Sequence, residues 1–182
     1  GLVGAVGLST HTVAGVRAGA LHPEIEVIHP LYNMKGWGIQ DGGPEEMTEA
    51  IALAVAMGKG VYLMKVLAGG HLAREAEEAL RFALALPGIS AVAIGMQSKE
   101  EIDFNYQIVC GQSPAPALRE KVGGHPRRLF IESWCTGCGR CVKRCPFGAL
   151  RLNGGKARVD YAACLTCGYC SEACPILAIK VL

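Results

Sequence analysis

Cys135-Thr136-Gly137-Cys138-Gly139-Arg140-Cys141-Val142-Lys143-Arg144-Cys145-Pro146 recurs further on as Cys164-Leu165-Thr166-Cys167-Gly168-Tyr169-Cys170-Ser171-Glu172-Ala173-Cys174-Pro175. Each copy sets three cysteines two residues apart, a fourth three residues beyond, and a proline directly after the fourth. Gly137, Gly139 and Gly168 let a short loop curl around a compact centre while its backbone N–H groups turn toward the sulfurs. Proline fixes φ and removes a donor, so the chain turns away from that centre after Cys145 and Cys174. Zinc sites use paired knuckles and four ligands, a poorer fit to two runs of four with a third close cysteine and a following proline. Disulfides would need a secreted chain, and no signal-peptide pattern is visible.

Both runs resemble the bacterial ferredoxins, in which three cysteines hold one cubane 4Fe-4S cluster and the fourth reaches across to the other. The resemblance implies two 4Fe-4S clusters. Cys135, Cys138, Cys141 and Cys174 would hold the first, and Cys164, Cys167, Cys170 and Cys145 the second. Two similar halves with interleaved ligands predict a pseudo-twofold fold.

The remaining composition divides the 182 residues at the same place. Eight of the nine cysteines follow residue 134, which predicts a front domain over residues 1–122 and a small cysteine-rich domain over residues 123–182. Residues 1–122 carry 9 basic and 13 acidic side chains, whereas residues 123–182 carry 9 and 3. A cluster with its four thiolates carries about −2, so the basic tail reads as compensation for clusters rather than as a nucleic-acid patch. Lys59 and Lys65 interrupt the longest apolar region, and no run reaches the ~18 residues of a membrane span. A soluble, cytoplasmic protein is expected, with a redox protein or a small molecule as partner and neither nucleic acid nor membrane.

Along the chain, residues 2–8 read as an apolar strand that begins at once, as a domain truncated at Gly1 would. A capped helix over 13–20 follows, then a strand over 26–29, a glycine-rich loop over 32–43 and a helix opened by Pro44, Glu45 and Glu46 that stops at Gly58. A strand over 60–65, a helix over 72–84, a strand over 90–95 and a helix over 99–109 complete four strand–helix units of a parallel α/β architecture. Residues 113–128 read as a linker with a helical turn or two. Beyond it, strands are expected at 129–131, 149–152, 157–159 and 176–181, with Asn153-Gly154-Gly155 as a hairpin turn.

The stretches 4–11, 60–70 and 93–105 resemble the aldo/keto reductases, and among them the branch whose (β/α)8 barrel ends in a ferredoxin tail. The four units look like the fifth to eighth of that barrel, so the resemblance implies the second half of a TIM barrel followed by a small α+β ferredoxin-like domain. It implies NAD(P)H as cofactor, with Ser9 at the nicotinamide carboxamide and Ser98 and Asn105 at the adenosine phosphate. His29 stands where the family usually has glutamine, Met64 where a tyrosine stacks on the nicotinamide, and Glu101 where an arginine pairs with the 2′-phosphate, which weakens the case for NADPH over NADH. The family's catalytic Asp, Tyr, Lys and His belong to the first four strands, so this stretch is not expected to reduce a carbonyl by itself.

His11, His29 and Lys65 fall at the C-terminal ends of strands, where barrel enzymes place chemistry. They either touch a substrate or cofactor or serve as polar mouth residues, and His11 has the further option of capping a helix. Cys110 reads as a small buried hydrophobe, the Glu75, Glu77, Glu78 group as a solvated helix face, the stretch 68–70 as a strand-to-helix turn, and Trp134 and Tyr169 as shields for the clusters. The leading expectation is an iron–sulfur oxidoreductase with a ferredoxin-type electron-transfer module. The alternatives are clusters with a structural or regulatory role and a stand-alone electron carrier with a vestigial barrel.

Overall fold

Four short strands, β1 (Gly7–Thr10), β2 (Val27–Pro30), β3 (Gly60–Leu63) and β4 (Ala91–Val92), pair in chain order as a parallel sheet in the computed structural model, which describes residues 1–122 and 128–181. The helices between and after them are α1 (Val13–Leu21), α2 (Pro44–Ala56), α3 (Ala76–Leu84), α4 (Lys99–Val109) and the short α5 (Pro116–Lys121). Their starts follow from local chemistry. The Thr12 hydroxyl accepts from the Gly15 N–H, Glu46 accepts from the Gly43 N–H at 2.9 Å beside Pro44, and the Ser98 hydroxyl accepts from the Glu101 N–H at 3.2 Å.

Helices cover one face of this sheet. Ile28, Val61 and Leu63 are buried in one core with Val16, Met47, Ile51, Leu80, Phe104 and Ile108, drawn from all of the first four helices. The alternate strand positions Ser9, His29, Tyr62 and Ala91 point the other way and stay exposed or half-exposed.

Several boundaries differ from the sequence reading. Residues 2–6 form no strand and Leu2 and Val3 are exposed, because pairing with β2 starts at Gly7, where the Val6 carbonyl accepts from the Glu26 and Val27 N–H groups. The fourth strand shrinks to Ala91–Val92, flanked by single bonds from Ser90 to the Val61 carbonyl and from Ala93 to the Leu63 carbonyl. The cap of α1 is Thr12, whose hydroxyl accepts from the Gly15 N–H, and not His11, whose side chain is buried. Residues 68–70 form a 3-10 turn, and α3 starts at Ala76 rather than 72 because two such turns precede it. Glu77 is not merely solvated, for it pairs with Arg81 at 3.0 Å and Arg119 at 2.8 Å. Within the expected linker α5 supplies the helical turn, and residues 123–127 lie outside the described residues. Among the described residues no helix is long and apolar enough to cross a membrane.

The chain divides into two compact units, Gly1–Gly124 and His125–Leu182. In the second, each half runs strand, cysteine loop, helix, strand: β5 (Leu129–Ile131), α6 (Arg140–Arg144) and β6 (Leu150–Asn153), then β7 (Lys156–Val159), α7 (Tyr169–Glu172) and β8 (Ile179–Val181). β5 pairs antiparallel with β8, and β6 with β7, so each half's first strand joins the other half's last strand in the expected pseudo-twofold arrangement. Gly154 (φ 59°) and Gly155 (φ 71°) make the two-residue turn between β6 and β7, both in the left-handed region that such a hairpin requires. The last strand begins at Ile179 rather than 176, because 176 and 177 are spent on a turn after Cys174.

The twofold also relates backbone conformations. Gly148 (φ 62°) occupies the place in the first half that Leu177 (φ 51°) occupies in the second. A left-handed L-residue costs about 1–2 kcal/mol, and Leu177 is 74% exposed, so burial does not offset this cost. Leu177→Gly is therefore expected to raise the melting temperature of the anaerobic protein by a few degrees, while Gly148→Ala, whose added Cβ meets nothing within 4 Å, lowers it. A thermal melt in which both variants shift the same way would rule out this reading of the strain.

Candidate metal centres

The eight clustered cysteines gather around two hollows, and neither hollow uses one sequence run alone. The first is lined by Cys135, Cys138, Cys141 and Cys174, with Ala157, Ile176 and Ile179 among its apolar walls. The second is lined by Cys145, Cys164, Cys167 and Cys170, with Leu129, Phe147, Ala149 and Leu150. Each run thus supplies three cysteines to one hollow, and its fourth cysteine lines the other. Local structure explains the exchange. The first two cysteines of each run ride a loop that enters α6 or α7 through Gly139 (φ 76°) or Gly168 (φ 88°), the third lies in the helix's first turn, and in the first run the helix then ends at Cys145 in extended backbone before Pro146.

The donor set fits iron–sulfur cubes. Among the described residues no three His, Cys, Asp or Glu side chains converge on a point that could hold a single metal ion. The thiols stand around a space instead, four to each, with mainly apolar side chains and backbone between them. A tetrahedral zinc would need four sulfurs drawn in to about 2.3 Å from one centre.

Electrostatics identify the same neighbours. Burial pushes the Cys170 thiol up to about 11, and Cys167, Cys164 and Cys145 add to it. Burial likewise raises Cys164, with Cys167 and Cys145 contributing, and raises Cys141, with Cys135 and Cys138 contributing. Cys135 moves the other way, because the N–H groups of Ala157 and Gly137 donate to its sulfur and Lys156 lies near. The Ala178 N–H donates to Cys174 Sγ at 3.2 Å. Thiols held protonated by burial must lose their protons to solvent on binding a metal as thiolates.

Sequence reasoning found the cysteines and expected amides from their own loops, of which Gly137 is one, but missed those of Ala157 and Ala178, which β7 and the chain before β8 bring to the sulfurs. It also placed two aromatic rings alike that the structure separates. Tyr169 lines the second hollow, with the Arg144 guanidinium 4.9 Å from its ring centre. Trp134 lines neither hollow and is 53% exposed, with Lys180 Nζ 5.6 Å over its ring, so it does not shield the first centre. Cys110 is exposed rather than buried, since α4 turns Phe104, Asn105 and Ile108 inward and ends at Cys110 beside the exposed Tyr106.

In the front unit Ser9 and His29 are direct partners across β1 and β2. His29 stacks on Tyr62 with ring centres 3.9 Å apart, and its Nδ1 lies 2.7 Å from the Tyr62 carbonyl oxygen. His11 is buried, and burial together with the nearby Lys65 and His29 lowers its pKa to about 4, so it is neutral at pH 7. Ser9, His11, His29 and Lys65 therefore gather at one end of the strands. Ser98 and Asn105 belong to α4 instead, where Ser98 caps the helix and Asn105 is buried. Glu101 accepts from the Gln97 N–H at 2.6 Å, which gives it a structural task at the start of α4.

Residues 129–175 match the family model of the 4Fe-4S dicluster domain. No curated protein matches the chain. The C-terminal unit is thus a ferredoxin-like region with the residues for 4Fe-4S binding, and its likeness supports iron–sulfur electron transfer.

Proposed function

We propose that the C-terminal unit holds two 4Fe-4S clusters, one on Cys135, Cys138, Cys141 and Cys174 and the other on Cys164, Cys167, Cys170 and Cys145, and that the protein is an iron–sulfur oxidoreductase. The observation that carries this is the partition of eight thiols into two walls of four, each built from both sequence runs. When bound, such clusters supply reversible one-electron transfer. The chain's own residues exclude water through the buried Leu129, Leu150 and Ile179, and direct backbone N–H groups at the sulfurs, which tunes the potential of whatever they hold. Protein purified without air is expected to contain about eight irons per chain. Iron near four, or stoichiometric zinc, would refute the two-cluster assignment.

The front unit is proposed to be the second half of a (β/α)8 barrel of aldo/keto reductase type. Parallel strands in sequential order with helices packed on one face favour a barrel wall over a doubly wound sheet, which carries helices on both faces. On this reading the uncovered row of Ser9, His29 and Tyr62 belongs to the barrel interior, and Ser9, Ser98 and Asn105 contribute to a nicotinamide cofactor site. The electron partner is a redox protein or a small-molecule substrate, in a reducing, cytoplasmic setting.

A further inference from the structure

We propose that the groove between β5 and β7 docks an acidic redox protein and is the electron route to the first cysteine centre; the route, though not the docking, rests on the function proposed above. Phe130, Arg151, Lys156, Arg158 and Tyr161 line this groove. Arg151 and Arg158 are direct cross-strand partners on the β6–β7 hairpin, both are exposed, and neither forms an ion pair among the described residues. Like charges set directly opposite destabilise a hairpin, so the fold itself gains nothing from this pair. Arg128 adds a third guanidinium, 5.7 Å from the Tyr161 ring centre. Among the described residues that line the groove the one carboxylate is Glu132, which Lys180 occupies at 2.7 Å. A surface of guanidinium groups beside two aromatic rings is complementary to carboxylates on a partner, and such complementarity speeds encounter and fixes orientation.

The route follows from Ala157. It lines both the groove and the first hollow, and its N–H donates to the Cys135 sulfur, while Lys156 and Arg158 flank it in β7. A partner seated on the groove is thus separated from the first centre by the thickness of one strand. With a cluster held on Cys135, Cys138, Cys141 and Cys174, one electron would pass from it to the partner's one-electron carrier, with no bond or proton exchanged.

The test uses the anaerobic full chain and fluorescein-labelled poly-L-glutamate as the acidic probe, read by anisotropy, with iron measured on the same samples. Arg151→Gln with Arg158→Gln is expected to weaken binding about tenfold or more, whereas the equally charged control Arg140→Gln with Lys143→Gln changes it by less than about twofold. Arg158→Glu creates an opposed pair, so it is expected to melt higher while losing the probe, which separates lost docking from lost fold. Oxidation of the reduced protein by the anion Co(edta)− is expected to slow in the Gln pair, and oxidation by hexaamminecobalt(III) to quicken. Equal weakening by the control pair would overturn the docking site, as would a single-stranded oligonucleotide that outcompetes polyglutamate on the same arginines. Unchanged cobalt rates in the Gln pair would overturn the route. Low iron with intact polyglutamate binding would instead count against the function proposed above.

Discussion

Cys145→Ala should cost the protein the cluster that lies against Cys164, Cys167 and Cys170, and leave the one nearer to it in sequence. Cys145 lines the second hollow and contributes to the raised pKa of both Cys164 and Cys170, whereas Cys174 lines the first. Iron is expected to fall from about eight toward about four per chain, since a cube on three thiolates is labile. Total iron alone does not say which cluster survives. The deciding comparison is of paramagnetically shifted NMR signals in Cys145→Ala, Cys167→Ala and Cys138→Ala. The first two should lose the same set and keep the set that Cys138→Ala removes. If Cys145→Ala and Cys138→Ala lost the same signals, each run would ligate its own cluster and the exchange would be wrong. Cys174→Ala supplies the mirror image, with the first cluster lost.

The consequence for stability is as large as that for electron transfer. Cys141, Cys164, Cys170 and Cys174 are core members of a unit of about sixty residues, alongside Leu129, Leu150, Ala178 and Ile179. A unit of that size buries too little apolar surface to stand comfortably by itself, so metal binding and folding are linked in it. This coupling keeps a structural contribution of the clusters compatible with an electron-transfer one.

Ligand spacing was legible in the sequence because a cluster imposes it locally: the two C-x2-C-x2-C-x3-C-P runs carry the loops, the left-handed glycines and the exit at proline within a dozen residues. Helix starts were legible for the same reason, since Thr12, Ser98 and Pro44 act on their own next turn. Strand limits were not, because a strand exists only where a partner pairs with it. Residues 2–6 are as apolar as any strand, yet β2 meets them only at the Val6 carbonyl, and residues 90–95 lie at the edge of the sheet, where β3 holds only two of them in register. The Arg151–Arg158 pair and the Ala157 amide at Cys135 come from register and from the approach of separate segments, which no single stretch encodes.

Gly137→Ala should be among the most damaging single substitutions in the C-terminal unit, and Gly168→Ala far milder. A Cβ on Gly137 would stand 2.1 Å from the Gly155 carbonyl oxygen and 2.7 Å from its carbon. Both atoms are backbone in the β6–β7 turn, so no side-chain rotation can relieve the contact. Backbone conformation alone is not the obstacle. At the matching place in the second loop Thr166 carries a side chain at φ 45°, close to the 67° of Gly137. The difference is the hairpin turn pressed against the first loop. Moving that turn or the loop displaces the Ala157 and Gly137 N–H groups, the two donors that lower the pKa of Cys135. At Gly168 (φ 88°) an added Cβ meets nothing within 4 Å, which leaves only the left-handed cost of about 1–2 kcal/mol. Gly137→Ala is expected to cost about 3 kcal/mol or more and to bleed iron from the first cluster, with the signals of the second retained. The check is iron content and thermal melting of both variants side by side under argon. A Gly137→Ala protein with full iron that melts within about a degree of the parent would mean that the turn does not bear on the first loop.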